Sequence, residues 1–197
     1  MSAASEPRQG PHTVASLLEV ATATFNERGY DGTSMEDLAR AAGITKSSIY
    51  HHVKGKDALL SMALDRALAS LFAVLDEPEA TTGRAHDRLV HVIRRSVEVL
   101  DAELPSVTLL LRVRGNSATE LAALEQRREF DRRVTALVTA AIAEGDLRDD
   151  LDPGLVTRLL FGTVNSLVEW YRPDRGQSAR EVADGLVAMA FEGLEPR

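Results

Sequence analysis

The stretch Thr33-Ser-Met-Glu-Asp-Leu-Ala-Arg-Ala-Ala-Gly43-Ile-Thr-Lys-Ser-Ser-Ile-Tyr50-His-His-Val-Lys-Gly-Lys56 decides how this chain is read. Met35, Leu38, Ala39 and Ala42 recur at helical spacing, and Gly43 supplies a stop. Thr33 and Glu36 match a capping box, in which the hydroxyl accepts from the backbone N–H three residues on and the carboxylate reaches back. Thr45 can cap a second, very short helix from Lys46 to His51. Two short helices joined by a tight turn form a candidate helix-turn-helix, which Ile44 and Ile49 can lock to Val14, Leu18 and Leu38. The second helix of such a pair presents its N-terminal residues to the major groove. Thr45, Lys46, Ser47 and Ser48 stand there, all able to hydrogen bond and all poor core residues.

The same stretch holds every lysine of the chain, Lys46, Lys54 and Lys56, and no acidic residue from Gly43 to Lys56. Elsewhere arginine carries the positive charge, and the net charge is −7. An acidic chain does not bind nucleic acid over its whole surface, so any DNA contact falls to a local patch. Lys54 reads equally well as a solvated loop charge, and His52 as packing or exposed. Hydrophobic content of 44% is enough for a core. Cysteine is absent, which fits a reducing cytosol and excludes disulfides and thiolate chemistry. The first residues lack the apolar core of a signal peptide, and no stretch reads as long and apolar enough to span a bilayer.

Outward from that stretch, the pattern is helical throughout. A first helix runs from about Thr13 to Arg28 and stops at Gly29. After Gly55, a long helix opens near Asp57 and reaches roughly Leu75. Residues 77–83, with Pro78 and Gly83, read as a loop without periodicity. Further helices are expected from about Arg84 to Leu100, from Pro105 to Gly115, from Ala118 to Glu144, from Pro153 to Tyr171, and from the Ser178–Glu181 capping box to Glu192. No segment alternates as a strand does. The expected fold class is all-α, with about nine helices: a flexible tail over 1–12, a helix-turn-helix DNA-binding domain over 13–58, and a larger bundle over 59–197.

The segment from Val14 to Leu60 resembles the DNA-binding domain of the TetR family of transcriptional regulators. The matching residues are Leu17, Ala21, Phe25, Gly29-Tyr30, Thr33-Ser34-Met35, Leu38-Ala39, Ala42 through Thr45, Ile49 through His52, Lys56-Asp57 and Leu59-Leu60. Val53 departs from the family's usual phenylalanine. The resemblance implies that Thr33 touches phosphate, that Thr45, Lys46, Ser47 and Ser48 face the groove, that Tyr50 and His51 contact the backbone, and that Lys56 clamps a phosphate. It also implies that the last two helices pair with a second copy and that the middle ones enclose a small ligand. Leu159, Gly162, Thr163, Leu167, Val182, Leu186 and Met189 are the expected homodimer interface. His91, Arg95, Arg112, Phe161, Asn165 and Trp170 are the expected ligand pocket.

The run Asp149-Asp-Leu-Asp152-Pro153 with Glu169-Trp-Tyr-Arg-Pro173 downstream looks like TetR-type regulators of fatty-acid, steroid or phenylacetate catabolism, several of which sense acyl-CoA thioesters. The implied function is a repressor that binds a palindromic operator as a homodimer and is released by a small effector, an acyl-CoA in this reading. The alternatives are an efflux regulator answering to a hydrophobic drug or aromatic compound, and a helical adaptor without DNA binding. Effector binding would tilt the fourth helix through its contacts with the sixth and alter a recognition-helix spacing of roughly 34–36 Å. About 1–3 kcal/mol of coupling is enough for that. No enzyme, cofactor or metal is expected. His86 and His91 lie five apart, which does not stack two ligands on one helix face, and neither Gly-x-Ser-x-Gly nor a phosphate-cradling loop is present. The expected location is cytoplasmic.

Overall fold

The computed structural model describes residues 13–193, so the expected N-terminal tail lies outside the described residues. Ten helices and no strand occur among them: α1 (Val14–Arg28), α2 (Met35–Ala42), α3 (Lys46–Tyr50), α4 (Lys56–Leu75), α5 (Pro78–Thr81), α6 (Ala85–Ala102), α7 (Leu104–Arg112), α8 (Ala118–Ala143), α9 (Pro153–Trp170) and α10 (Ala179–Glu192). The chain divides into two compact units between Ala63 and Leu64, inside α4.

In the first unit, α1 packs on α2 and α2 on α3. Leu17, Ala21 and Phe25 of α1, Leu38 and Ala42 of α2, and Ile49 of α3 are buried together with Leu59 and Leu60 of α4. Ile49 is fully buried and is the only buried residue of a five-residue helix. A helix that short is marginal by itself, so α3 is held by this anchor, worth roughly 2 kcal/mol of apolar burial, and by its Thr45 cap. Ile44 is half-buried, and Val53 is buried despite its smaller volume. Gly43 ends α2 in the left-handed region, at φ 68°, and its N–H returns to the Ala39 and Arg40 carbonyls. A side chain there would be strained, which fixes glycine at the turn.

In the second unit, α6 is the central helix. It packs against α5, α7, α8, α9 and α10, and Leu89, Val92 and Ile93 are fully buried along it. Tyr171, just past α9, is buried and donates from its hydroxyl to Asp101 Oδ1 on α6 at 2.9 Å. Burial, and then the Asp101 carboxylate, push the Tyr171 phenol above its ordinary range.

Three expectations are corrected. The capping box of α2 is formed by Ser34 and Asp37, one residue later than Thr33 and Glu36. Residues 77–83 hold the short helix α5, opened by Pro78, whose ring pre-sets the helical φ. Finally, α4 is long and apolar enough to cross a membrane, with a mean hydropathy of 1.7. Leu59, Leu60, Ala63, Leu64, Ala67 and Leu68 are instead buried within the protein, so its apolarity serves the core.

Candidate nucleic-acid interface and internal cavity

The exposed side of the helix-turn-helix is built from α3. The Thr45 hydroxyl accepts from the Ser48 backbone N–H at 3.2 Å and lies 2.8 Å from the Ser48 hydroxyl. This cap fixes the first turn. Thr45, Lys46, Ser47, Tyr50 and His51 are exposed, and Ser48 is half-buried. Tyr50, at 49% exposure, is a large aromatic left in solvent.

Lys46 is not a lone cation. Its Nζ hydrogen-bonds Glu36 of α2, a contact that lowers the Glu36 carboxyl and raises the Lys46 ammonium. The sequence pattern hides this pairing because it places Glu36 in the cap; with Asp37 in that role, Glu36 is released to the surface.

Two expected phosphate contacts change standing. Thr33 is 1% exposed and its hydroxyl donates to the Gly29 carbonyl at 2.7 Å, so it faces α1 and not solvent. The physical reason is the one-residue shift of the cap, which turns Thr33 inward and leaves Ser34 outside. Lys56 donates from Nζ to the carbonyls of Tyr30 and Thr33, both at 3.0 Å, and lies 4.4 Å from the centroid of the Tyr30 ring. Tyr30 in turn meets Phe25 edge to face at 5.3 Å. Lys56 thus clamps the α1–α2 turn to the start of α4, and two of its three donors are spent on the protein's own backbone.

The second unit holds a partly open cavity of about 70 Å³. Its wall is mostly apolar: Leu68 and Leu71 of α4, Leu100 of α6, Val107, Leu110 and Leu111 of α7, Phe130 of α8, and Phe161 and Val164 of α9. The polar lining is Ser96, Arg127, Asp131 and Asn165. Arg127 donates from Nη1 to the Leu110 carbonyl at 3.3 Å, and desolvation lowers its guanidinium pKa. Desolvation also raises the Asp131 carboxyl.

Of the residues expected in a pocket, Phe161 and Asn165 line this cavity, and His91, Arg95, Arg112 and Trp170 do not. His91 Nε2 lies 2.6 Å from Glu77 Oε2, and Arg95 grips both oxygens of Glu77. The network pins the α4–α5 connection to α6. Arg95, then burial in opposition, then His91 set the Glu77 carboxyl, which ends below its usual range. Arg112 is exposed at the end of α7, and Trp170 is 56% exposed. Ser96, Arg127, Phe130 and Asp131 were missed. The only signal for three of them was the i, i+3, i+4 spacing of Arg127, Phe130 and Asp131 on α8, and Ser96 on α6 had none.

Among residues expected at a dimer interface, Leu159 and Met189 are 62% and 43% exposed, Gly162 and Thr163 are exposed, and Val182 is half-buried. Leu167 and Leu186 are corrected: both are buried inside the chain's own core. Leu155 at 40% and Trp170 extend the exposed apolar stripe of α9.

A capped helix-turn-helix with an exposed polar recognition helix, joined to a separate helical unit with a cavity, defines a transcriptional regulator of the ligand-sensing kind. Residues 17–63 match the bacterial regulatory proteins of the tetR family, and residues 82–194 match the tetracyclin repressor-like C-terminal domain. The chain belongs to the TetR family. It is 57% identical to SCO3833, a TetR-family member from Streptomyces coelicolor A3, whose crystal structure superposes with a TM-score of 0.89 over 100% of this chain and 96% of that one. It is 30% identical over 181 residues to the HTH-type transcriptional repressor KstR2 of Mycobacterium tuberculosis, covering 90% of each chain. The structure of that ketosteroid transcriptional regulator gives a TM-score of 0.80 at 26% identity, covering 96% of this chain and 98% of that one.

Proposed function

We propose that this protein is a homodimeric repressor that binds a palindromic DNA operator and releases it when a small effector fills the cavity of the second unit. It works in the cytoplasm and catalyses no reaction. The carrying observation is the exposed, polar face of α3, held rigid by Ile49 and the Thr45 cap. In this reading Thr45, Lys46, Ser47 and Ser48 meet the groove, Tyr50 and His51 meet phosphates, and Lys56 keeps one donor for the backbone. KstR2 is a repressor, which supports repression as the sign. The domain division at 13–58 and 59–197 falls close to the boundary between the two compact units. α4 supports the coupling, since one continuous helix carries both Lys56 and the cavity residues Leu68 and Leu71.

For the effector we propose an acyl-CoA thioester whose short acyl portion enters the cavity while the nucleotide stays outside, because about 70 Å³ holds only a few heavy atoms. The aromatic lining, Phe130 and Phe161, favours an aromatic compound as the second reading, which the cavity would have to widen to admit.

Fluorescence anisotropy against duplex DNA from upstream of the protein's own gene tests the core of this. Binding should weaken steeply with salt, and Ser47→Glu, which sets a carboxylate against the groove, should abolish it. Salt-insensitive binding that survives Ser47→Glu would remove α3 from the interface. Glu36→Gln should have the opposite effect. It frees Lys46 and removes a negative charge, so affinity should rise about two- to fivefold and the salt dependence steepen by about one counterion. On the dimer, Leu159→Glu buries a charge at the proposed contact. It should yield monomer in light scattering and lose operator binding with it.

A further inference from the structure

The polar lining of the cavity is poorly matched to a plain hydrocarbon. Ser96 is 1% exposed and its Oγ has no hydrogen-bond partner among the described residues. A helical serine ordinarily donates to the carbonyl four residues back, so an orphaned hydroxyl in the wall of a cavity is unusual. The Asn165 side chain lines the same space and makes no hydrogen bond with any described residue. Arg127 uses one donor, on the Leu110 carbonyl, and has the rest of its fork unspent. Asp131, one turn further along α8, lines the cavity without an ion pair to it within 4.0 Å among the described residues. Desolvation lowers the arginine, which is half-buried, and raises the aspartate, although Asp131 as a residue is exposed at the cavity's edge.

These groups restrict what can enter. An alkyl chain would displace any water and leave the hydroxyl, the amide and the unspent donors of the guanidinium dry, which is costly beside an apolar wall. A carboxylate would pair with Arg127 but would add a second negative charge beside Asp131. A neutral oxygen avoids both costs. It accepts from Arg127 or Asn165, and as a hydroxyl it also donates to Ser96 or Asp131.

We propose that the part of the effector entering this cavity carries an uncharged oxygen function, an oxo or hydroxyl group, on a short carbon skeleton, recognised by Ser96, Arg127, Asp131 and Asn165. The inference rests on the reading of this cavity as the effector site.

Titration calorimetry on the full-length dimer with matched compounds tests it. The probes are butanoyl-CoA against acetoacetyl-CoA, 3-hydroxybutanoyl-CoA and succinyl-CoA, and, without CoA, toluene against p-cresol. Within at least one set, the oxo or hydroxyl compound should bind at least about tenfold more tightly than its alkyl partner, and more tightly than the carboxylate. Ser96→Ala and Arg127→Met should shrink that preference to below about threefold without abolishing binding of the alkyl compound. Asn165→Leu serves in place of either variant that fails to fold, as judged by circular dichroism. Equal or tighter binding of the alkyl or carboxylate member overturns the oxygen inference and leaves the cavity as the effector site. Silence from every probe overturns both.

Discussion

Phe130→Ala is expected to lower the unfolding free energy by about 3–5 kcal/mol and to enlarge the cavity. Phe130 is 6% exposed and sits between two other rings. It meets Phe72 at 5.9 Å and Phe161 at 5.4 Å, both edge to face. Each such pair adds about 0.5–1.5 kcal/mol beyond the area it buries. The rest of the loss comes from withdrawing a large side chain from water-excluded surroundings and from the void left behind, since helices from five parts of the chain cannot all close on it. Phe72 is also covered by the Arg133 guanidinium, 5.3 Å from its centroid, which would hold that ring in place and resist collapse. Urea unfolding at one fixed protomer concentration checks the magnitude, because dimerisation would otherwise move the midpoint. The variant should also accept bulkier effectors than the parent. A loss under about 1.5 kcal/mol would show that the bundle closes over the gap, and the cavity wall would then be far softer than its aromatic packing implies.

How legible a feature is in the sequence depends on its scale. Helix positions, the Gly43 turn and the anchor Ile49 follow from periodicity and turn chemistry, which are local. The α2 cap was ambiguous for a local reason. Thr33 and Ser34 are consecutive hydroxyls, and each has an acid three residues on, Glu36 and Asp37. Only the burial of Thr33 and the exposure of Glu36 choose between them. α5 carried its signal in Pro78, but four residues cannot show a period.

The cavity and the dimer face depend on how far side chains are rotated around their helices. At about 100° per residue, Leu167 lies about 80° around α9 from Leu159, whereas Trp170 lies within about 20° of it. That arithmetic separates the buried leucine from the exposed one and moves Trp170 from the expected pocket to the outer stripe. Which of the two faces looks inward is set by α6 and α8, far away in sequence. Arg127 and Asp131 were hidden differently. They lie within a run of alternating charge on α8 where Glu125, Arg128, Glu129, Arg132 and Arg133 pair along the surface. Two charges that line the cavity, Arg127 half-buried and Asp131 exposed at its edge, cannot be told from five that pair along the surface until the neighbouring helices are in place.

Glu120 is the acid on which the α7–α8 connection depends. Its side chain is 4% exposed, and one oxygen, Oε2, accepts from the backbone N–H groups of Arg114, Gly115 and Asn116 at 2.9, 2.8 and 3.1 Å. Burial alone would raise its carboxyl, and the three backbone donors outweigh it, so the pKa ends below the usual value of 4.5. Glu120→Ala leaves three N–H groups without their acceptor. The expected cost is about 3 kcal/mol at pH 7, on the scale of hydrogen bonds to a charged group, with water recovering part of it. Gly115 adds to the tightness of this turn: it lies at φ 88°, and a Cβ there would come within 3.1 Å of Leu121. The pH dependence gives the sharper check. A carboxyl whose folded pKa is depressed contributes its full stability above its unfolded pKa, and that contribution is lost as pH falls through the folded value. The gap between parent and Glu120→Ala in urea unfolding should therefore be constant from pH 7 down to about 5 and narrow below about 4.5. Glu120→Gln, which keeps the shape and one acceptor but not the charge, should fall between them and lose the pH dependence. A gap that stayed constant down to pH 3 would mean that the carboxylate charge plays no part in holding the turn, and that packing of the side chain alone accounts for its burial.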